Sequence, residues 1–554
     1  MTVSGGVLNI IYQRAGMFST RAAVSVFRDG KWNEMNFGEV RIAARELSNF
    51  LLARGIQRGD RIAIISESSP EFGVVFFATV RSGAILVPLD PKQTLQELLP
   101  ILSDSQPKVI FCAKSCRELA TQAAGQCPSI QEIIVTDATA GDAKEYKTLH
   151  DVRTAEGIDG RERTLGETAL IVYTSGSTGT PKGVMTSFNN LIFQTEQLEQ
   201  MFRHSPEDVF LSILPMNHLL EFTAGYLGVL YSGAQVCYLP SLFPDEILKA
   251  IRQKQVTLMI VVPSFLRLLK NTIERMVSKR STYQTKLFRL RFARAQLLPR
   301  QKRKRLFPEV AGMLGPQFRG FISGGAPLGR DLAQFFDIVG INVYQGYGLT
   351  EASPVVATNS IKHFRLCSVG RPLPGIEVRI LRSNEKDETG EILTRGSHLM
   401  LGYYNRDELT AEVIDQDGWF HTGDLGKFDG EGFLYVTGRI KDLIVLPGGK
   451  KVQPEEVEQL ISNLPQVKEV CVLGAQSPGQ STSEEVVAVV VPVDGAEEGA
   501  IRECLTQQLS AIAAYKRPSR IVFTRNELPR THTKKLKRNV VREWLDNSEA
   551  ALTS

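Results

Sequence analysis

Ala169-Leu-Ile-Val-Tyr-Thr-Ser-Gly-Ser-Thr-Gly-Thr-Pro-Lys-Gly183 decides how the rest of this chain is read. The apolar run Ala169–Val172 predicts a buried strand. The Gly/Ser/Thr loop behind it brings backbone N–H groups and hydroxyls to where phosphate oxygens can be held, and Lys182 adds positive charge. The P-loop of nucleoside triphosphatases has a similar texture, but it sets Gly directly before its lysine and Ser or Thr directly after. Here Pro181 precedes Lys182 and Gly183 follows, so that reading fails at both neighbours.

Outward from this stretch, short apolar or β-branched runs alternate with longer polar stretches of helical length. Arg61–Ile65, Ile85–Leu89, Lys108–Phe111 and Glu132–Val135 precede it; Leu258–Val262, Phe318–Ile322 and Ile341–Tyr344 follow. Strands joined by helix-length connections predict parallel α/β sheets. After Pro372 the runs shorten to Glu377–Leu381 and Gly390–Thr394 between Gly and charged turns, which predicts an antiparallel or barrel-like subdomain. A last unit, from near Gly438, carries a helix starting at Pro454, strands at Glu469–Leu473 and Val486–Val491, and a helix from about Ala500. The expected fold is α/β: a large N-terminal domain, residues 1–438, of two α/β subdomains plus a β-barrel-like subdomain, and a small α+β domain, 439–554.

At 554 residues the chain exceeds one ordinary core. Its 43% hydrophobic and 23% charged content describes a globular protein, not a disordered or fibrous one. No apolar run is long enough to cross a bilayer, and Met1-Thr-Val-Ser-Gly-Gly has neither the basic start nor the apolar core of a secretory signal. Seven cysteines, an odd number thinly spread, argue against a disulfide framework, and a cytoplasmic location is expected. Cys112 and Cys116 form the one close pair, without the Cys/His partners of a zinc site.

The net charge of +5 is unevenly placed. Between Arg267 and Arg305 fourteen Lys/Arg face a single acid, Glu274, which makes the segment +13 and the remainder −8. Such a segment is either a solvated helical arm or loop, or a face for an anionic lipid surface (peripheral membrane association), an acidic carrier protein or a nucleic acid. Its apolar residues Leu287, Phe288, Leu290, Phe292, Leu297 and Leu298 do not collect on one helical face, which argues against a helix lying in a membrane surface. No aromatic-interleaved module for nucleic acid is present.

Five further segments stand in an order that resembles the acyl-adenylate-forming enzymes, the superfamily of acyl-CoA synthetases, adenylation domains and luciferases; the resemblance covers nearly the whole chain. In that family the first loop, here Thr174, Ser175, Gly176, Ser177, Thr178, Gly179 and Lys182, handles the β/γ-phosphates of ATP. Ser323-Gly-Gly-Ala-Pro-Leu328 resembles the segment lying against adenine, which implicates Gly324, Gly325, Ala326 and Pro327. Tyr344-Gln-Gly-Tyr-Gly-Leu-Thr-Glu351 implies stacking of Tyr347 on adenine, contact of Thr350 with the α-phosphate, and magnesium on Glu351 with Thr178, while Gly346 and Gly348 border the substrate. Trp419-Phe-His-Thr-Gly-Asp424 offers a carboxylate for the ribose hydroxyls, and Gly438-Arg-Ile-Lys-Asp-Leu443 gives Arg439 for ribose and phosphates, with Lys441 at the hinge of a mobile C-terminal domain. Leu528-Pro-Arg-Thr-His-Thr-Lys-Lys535 matches the catalytic-lysine motif with Lys535 in the lysine position and Lys534 where the family usually has Gly.

The resemblance implies ATP-dependent capture of a carboxylic acid as acyl-AMP, with Lys535, Glu351 and Lys182 stabilising the charges that form, then transfer to the thiol of CoA or of a carrier protein's phosphopantetheine arm. The region Gly448-Gly449-Lys450 would then face the thiol. Leu214-Pro-Met-Asn-His-Leu-Leu-Glu-Phe222 resembles the segment guarding the acyl pocket in the long-chain fatty acyl branch, with His218 touching substrate and Glu221 beside it. A medium- or long-chain fatty acid is the expected substrate, and the basic segment 267–305 the expected docking site if a carrier protein is the acceptor. A binding module without catalysis and a luciferase-type oxygenase are the readings from other classes; the presence of Lys182, Glu351, Asp424, Arg439 and Lys535 opposes the first, and light emission tests the second.

Overall fold

The computed structural model describes residues 16–137, 160–161, 163–175, 180–279, 281–385, 387–446, 450–476, 484–530 and 536–553, with a few isolated positions besides. The chain forms two compact units. The first comprises Met1–Glu377 with Thr394–Phe420, the second Val378–Leu393 with His421–Ser554.

Two sheets build the first unit. Among the described residues one has seven strands, in the order Gly402–Tyr403, Pro181–Ser187, Thr168–Ser175, Ile85–Leu89, Arg61–Ile65, Val109–Cys112 and Glu132–Val135. Its last five are mutually parallel, as alternating strands and helices require. The other has nine strands with a parallel centre, Val343–Tyr347, Gly320–Ser323, Leu258–Val261, Val209–Ser212, Gln235–Tyr238 and Ala22–Arg28, in that order across the sheet. The hairpin partner Lys31–Asn36 closes one edge. The helix Pro70–Ser82 starts on Ser69, whose side chain accepts from the Phe72 N–H, and stops at Gly83 in the left-handed conformation. Phe72, Val75, Phe76 and Phe77 are all fully buried, and a helix apolar around its circumference belongs inside a core.

The predicted strands Arg61–Ile65, Ile85–Leu89, Glu132–Val135 and Glu377–Leu381 form with those boundaries. The strand predicted at Phe318–Ile322 runs Gly320–Ser323, and that predicted at Ile341–Tyr344 runs Val343–Tyr347. The antiparallel subdomain expected after Pro372 takes the form of a four-stranded sheet, Glu377–Leu381, Gly390–Arg395, Phe420–Phe428 and Leu434–Arg439, ending in an antiparallel pair. The second unit also has a three-stranded sheet, Val467–Gln476, Glu484–Pro492 and Arg520–Phe523, flanked by the helices Pro454–Ile461, Glu498–Leu509 and Arg538–Thr553.

The basic segment corrects its sequence reading. Thr282–Gln296 is a helix, and its apolar residues do sort by face: Phe288 and Phe292 pack inward beside Phe307, while Leu290 is exposed. Counting both sets together cancels the periodicity, because the helix is apolar on two sides. All seven cysteines are free, with Cys112 and Cys116 buried. No described helix is long and apolar enough to cross a membrane.

Candidate active site

The signature stretch folds as a hairpin. Thr168–Ser175 pairs antiparallel with Pro181–Ser187, Thr174 opposite Lys182 and Ser175 opposite Pro181, so Lys182 leaves the loop on a strand and not on a helix. Gly176, Ser177, Thr178 and Gly179 lie outside the described residues. Gly183 is required by close approach: a Cβ there would stand 2.7 Å from Ile171 Cγ2 and 3.0 Å from the Tyr173 ring. The Tyr173 hydroxyl donates to Asp104 Oδ2 at 2.6 Å, which pins the strand to the helix Leu95–Ser105.

The nine-stranded sheet gathers the other segments of this unit. Strands ending at Ser212, Val261, Ser323 and Tyr347 are parallel neighbours, so the chain that follows each one emerges at the same edge. That edge is where α/β sheets bind ligands, since the loops there diverge and leave a crevice. Gly324, Gly325, Ala326 and Pro327 follow Ser323; Gly325 has φ +78°, open to glycine and strained for other residues. His218 follows the strand Val209–Ser212, and its backbone N–H donates to Pro215 O. Leu220, two residues on, reaches Gly324: a Cβ on that glycine would meet Leu220 Cδ2 at 3.0 Å. The segment predicted to guard the acid therefore touches the segment predicted to hold adenine.

Gly346 and Tyr347 end the strand Val343–Tyr347, and Gly348 passes so near Pro354 that a Cβ would fall 1.8 Å from its carbonyl oxygen. Thr350 and Glu351 sit on the short 3₁₀ turn Thr350–Ala352. Here the structure adds a residue that the sequence reading missed. Tyr403, on a two-residue strand paired with Val184, donates its hydroxyl to Glu351 Oε1 at 3.0 Å, and Lys182 Nζ lies 5.1 Å from the centroid of its ring. Lys182 and Glu351, far apart in sequence, meet around one buried phenol. Burial, then the Glu351 carboxylate, raises the Tyr403 pKa well above its usual value, so the hydroxyl is a fixed donor.

Among the described residues no group of three or more His, Cys, Asp or Glu side chains is placed to hold a metal ion by itself. A single carboxylate is the protein's share of the donor set of a hard ion held chiefly by nucleotide phosphates and water, which is how Mg²⁺ is commonly bound. Glu351 fits that part.

Behind His218 the chain winds into a π-helical turn, Glu221–Leu227. Glu221 is fully enclosed, and Gly225 makes its room, since a Cβ there would stand 2.5 Å from Oε1. Burial pushes this carboxyl up to about 8, with the nearby Ser212 hydroxyl working against the shift, so it is protonated at neutral pH. A one-turn π segment is often found beside functional sites.

In the second unit Asp424 and Arg439 face each other across an antiparallel pair, with Arg439 Nε 2.9 Å from Asp424 Oδ1. Asp424 is buried and its backbone N–H donates to Thr422 Oγ1. Lys441 lies on the 3₁₀ turn Ile440–Asp442. Arg530 and Leu536 pair in an isolated antiparallel bridge; Lys534 and Lys535, between them in sequence, lie outside the described residues, as do Gly448 and Gly449. A further missed group is Arg538, three residues beyond the catalytic-lysine position. Its guanidinium lies 2.7 Å from Glu458, 3.3 Å from Glu455 and 3.4 Å from Asp442.

The AMP-binding enzyme family matches residues 12–404 and the AMP-binding enzyme C-terminal domain matches 456–535. A long-chain-fatty-acid–CoA ligase, FadD15, of Mycobacterium bovis is 28% identical over 478 residues, 81% of this chain and 77% of the relative. A feruloyl-CoA synthase of an Amycolatopsis species is 30% identical over 517 residues, 92% of this chain and 93% of that one. Among solved structures, the o-succinylbenzoate CoA synthetase MenE of Bacillus subtilis in complex with ATP and magnesium is similar over 96% of this chain and 98% of its own, with a TM-score of 0.76 and 26% identity.

Proposed function

The chain belongs to the AMP-binding enzyme family, and from that premise we propose that it is an acid–thiol ligase: it joins a carboxylic acid to AMP, releases pyrophosphate, and passes the acyl group to CoA. The observation that carries the reading is the meeting of Lys182 and Glu351 around Tyr403. A carboxylate and a phosphate repel, and attack becomes feasible when fixed positive charge surrounds both. Lys182 neutralises the departing phosphates, and Mg²⁺ on Glu351 with Thr178 supplies the remaining positive charge when bound. Thr174 to Gly179 wrap the phosphates, Gly324 to Pro327 and Tyr347 hold the adenine, Thr350 meets the α-phosphate, and Asp424 with Arg439 hold the ribose.

Lys535 bridges the acid and the α-phosphate. The acid is a medium- or long-chain fatty acid, entering past His218, Gly346 and Gly348. The buried apolar residues of the turn that carries Glu221 (Phe222, Ala224, Tyr226 and Leu227) suit an alkyl chain, which gains about 0.8 kcal/mol per buried CH₂. The relatives' names favour CoA over a carrier protein as acceptor.

The test is ATP–pyrophosphate exchange over straight-chain acids from C2 to C18 and aromatic acids, with and without CoA. Background exchange with every acid defeats the reading; exchange restricted to aromatic acids defeats only the fatty-acid part. A Lys535→Ala protein should lose exchange yet still form thioester from supplied acyl-AMP, and normal exchange would show that another residue has the role. Carrier loading that outpaces CoA ligation would reverse the choice of acceptor.

A further inference from the structure

Helix Thr282–Gln296 and the turns after it separate their cations by face. On the inward side Arg291 stands 3.5 Å from Glu309, and Arg300 lies 2.8 Å from Asp337, which also pairs with Arg303. Phe288 and Phe292 on that side meet Phe307 and Phe335, with ring centroids 5.2 Å (Phe288–Phe307) and 6.0 Å (Phe292–Phe335) apart, and Ala295 is buried. The outward side is different. Lys286, Arg289, Arg294, Lys302 and Arg305 are exposed and have no carboxylate partner among the described residues.

Between the outward cations runs an apolar line. Tyr283, Leu290 and the capping residue Leu297 are 75%, 68% and 86% exposed. They are spaced by sevens, and seven residues return a helix to within about 20° of its starting direction, so the three side chains stand in one row on the order of 20 Å long. Single exposed apolar residues need no explanation, but three in register with unpaired charge of one sign beside them form a surface. The pattern, a row of large apolar groups flanked by Lys and Arg, is that of a helix lying in a lipid headgroup layer.

We propose that the outer face of Thr282–Leu297 docks on a bilayer rich in anionic lipid. Tyr283, Leu290 and Leu297 enter the boundary between headgroups and acyl chains, and Lys286, Arg289 and Arg294 meet lipid phosphates. A planar headgroup layer receives a straight, convex row along its whole length. An acidic protein would need an apolar groove matched to this row in length and shape, whereas a headgroup layer receives it without such a match. The inference stands apart from the activity proposed above, because binding is read with no substrate present.

The experiment is co-sedimentation of the full chain with phosphatidylglycerol/phosphatidylcholine vesicles and with phosphatidylcholine vesicles alone, at low and high salt. Binding should require phosphatidylglycerol and fall about ten-fold or more as salt rises toward 0.5 M, because screening removes the charge term first. Leu290→Ser with Leu297→Ser, and separately Lys286→Gln with Arg289→Gln and Arg294→Gln, should each weaken binding about five-fold or more with the far-ultraviolet circular dichroism unchanged. Absence of binding to phosphatidylglycerol vesicles at low salt overturns the proposal, and so does unaltered binding by both variants. Capture of an acidic carrier protein by this face, with no vesicle binding, overturns it as well.

Discussion

At the scale of single residues, Tyr403 conditions two groups of the candidate site at once: its hydroxyl holds Glu351 and its ring lies under Lys182. Tyr403→Phe keeps the ring and removes the donor, so the Glu351 carboxylate loses its orientation while Lys182 keeps its platform. The expected outcome is a several-fold higher Mg²⁺ requirement in pyrophosphate exchange, with a stability loss of about 1 kcal/mol by thermal unfolding; an unchanged Mg²⁺ titration would assign the bond to structure alone. Glu221 allows a pH test. Its carboxyl is raised from 4.5 to about 8 by burial, so its contribution to stability is complete below about pH 4.5 and disappears as pH rises through 8. Glu221→Gln cannot ionise. Its melting temperature should therefore gain on that of the natural protein steadily from pH 5 to pH 8, and parallel curves would refute a buried, protonated carboxyl.

Elements explain why some of this was legible and some was not. The strands Arg61–Ile65 and Ile85–Leu89 are buried along nearly their whole length, so continuous apolar runs announce them with sharp ends. Pro181–Ser187 is half polar and begins with Pro-Lys-Gly, which reads as loop until its partner Thr168–Ser175 is known. Tyr403 belongs to a strand of two residues, too short for any periodicity, and its partner Glu351 is 52 residues away. Arg538 shows the same limit at the second unit's core. It joins the last helix to Glu455 and Glu458 on the helix Pro454–Ile461, and burial raises Glu458 to about 7 against the pull of Arg538. Arg538→Met should cost about 3–5 kcal/mol at pH 8, because carboxylates stay buried without their cation, and less at pH 5, where Glu458 is protonated. Chemical denaturation at the two pH values checks this, and an equal loss at both would point to packing alone.

At the scale of the whole molecule, the proposed domains 1–438 and 439–554 with a hinge at Lys441 describe motion between half-reactions, whereas the compact units group Asp424 with the C-terminal residues. A hinge works through backbone rotation, and proline fixes φ near −65°. Lys441→Pro should therefore leave pyrophosphate exchange nearly intact and slow thioester formation by about ten-fold or more; equal slowing of both half-reactions would argue against a hinge there. The sequence by itself determined the α/β class and the alternation of strands and helices, because apolar runs and the turns between them are local properties; the groups proposed for ATP were nominated by its resemblance to a family. Only the tertiary structure decided which of those groups meet. The pairing of Lys182 with Glu351 through Tyr403, the contact of Leu220 with Gly324, and the division of one helix into a packed aromatic face and an exposed basic one all depend on distant segments being folded together, and no local pattern encodes such encounters.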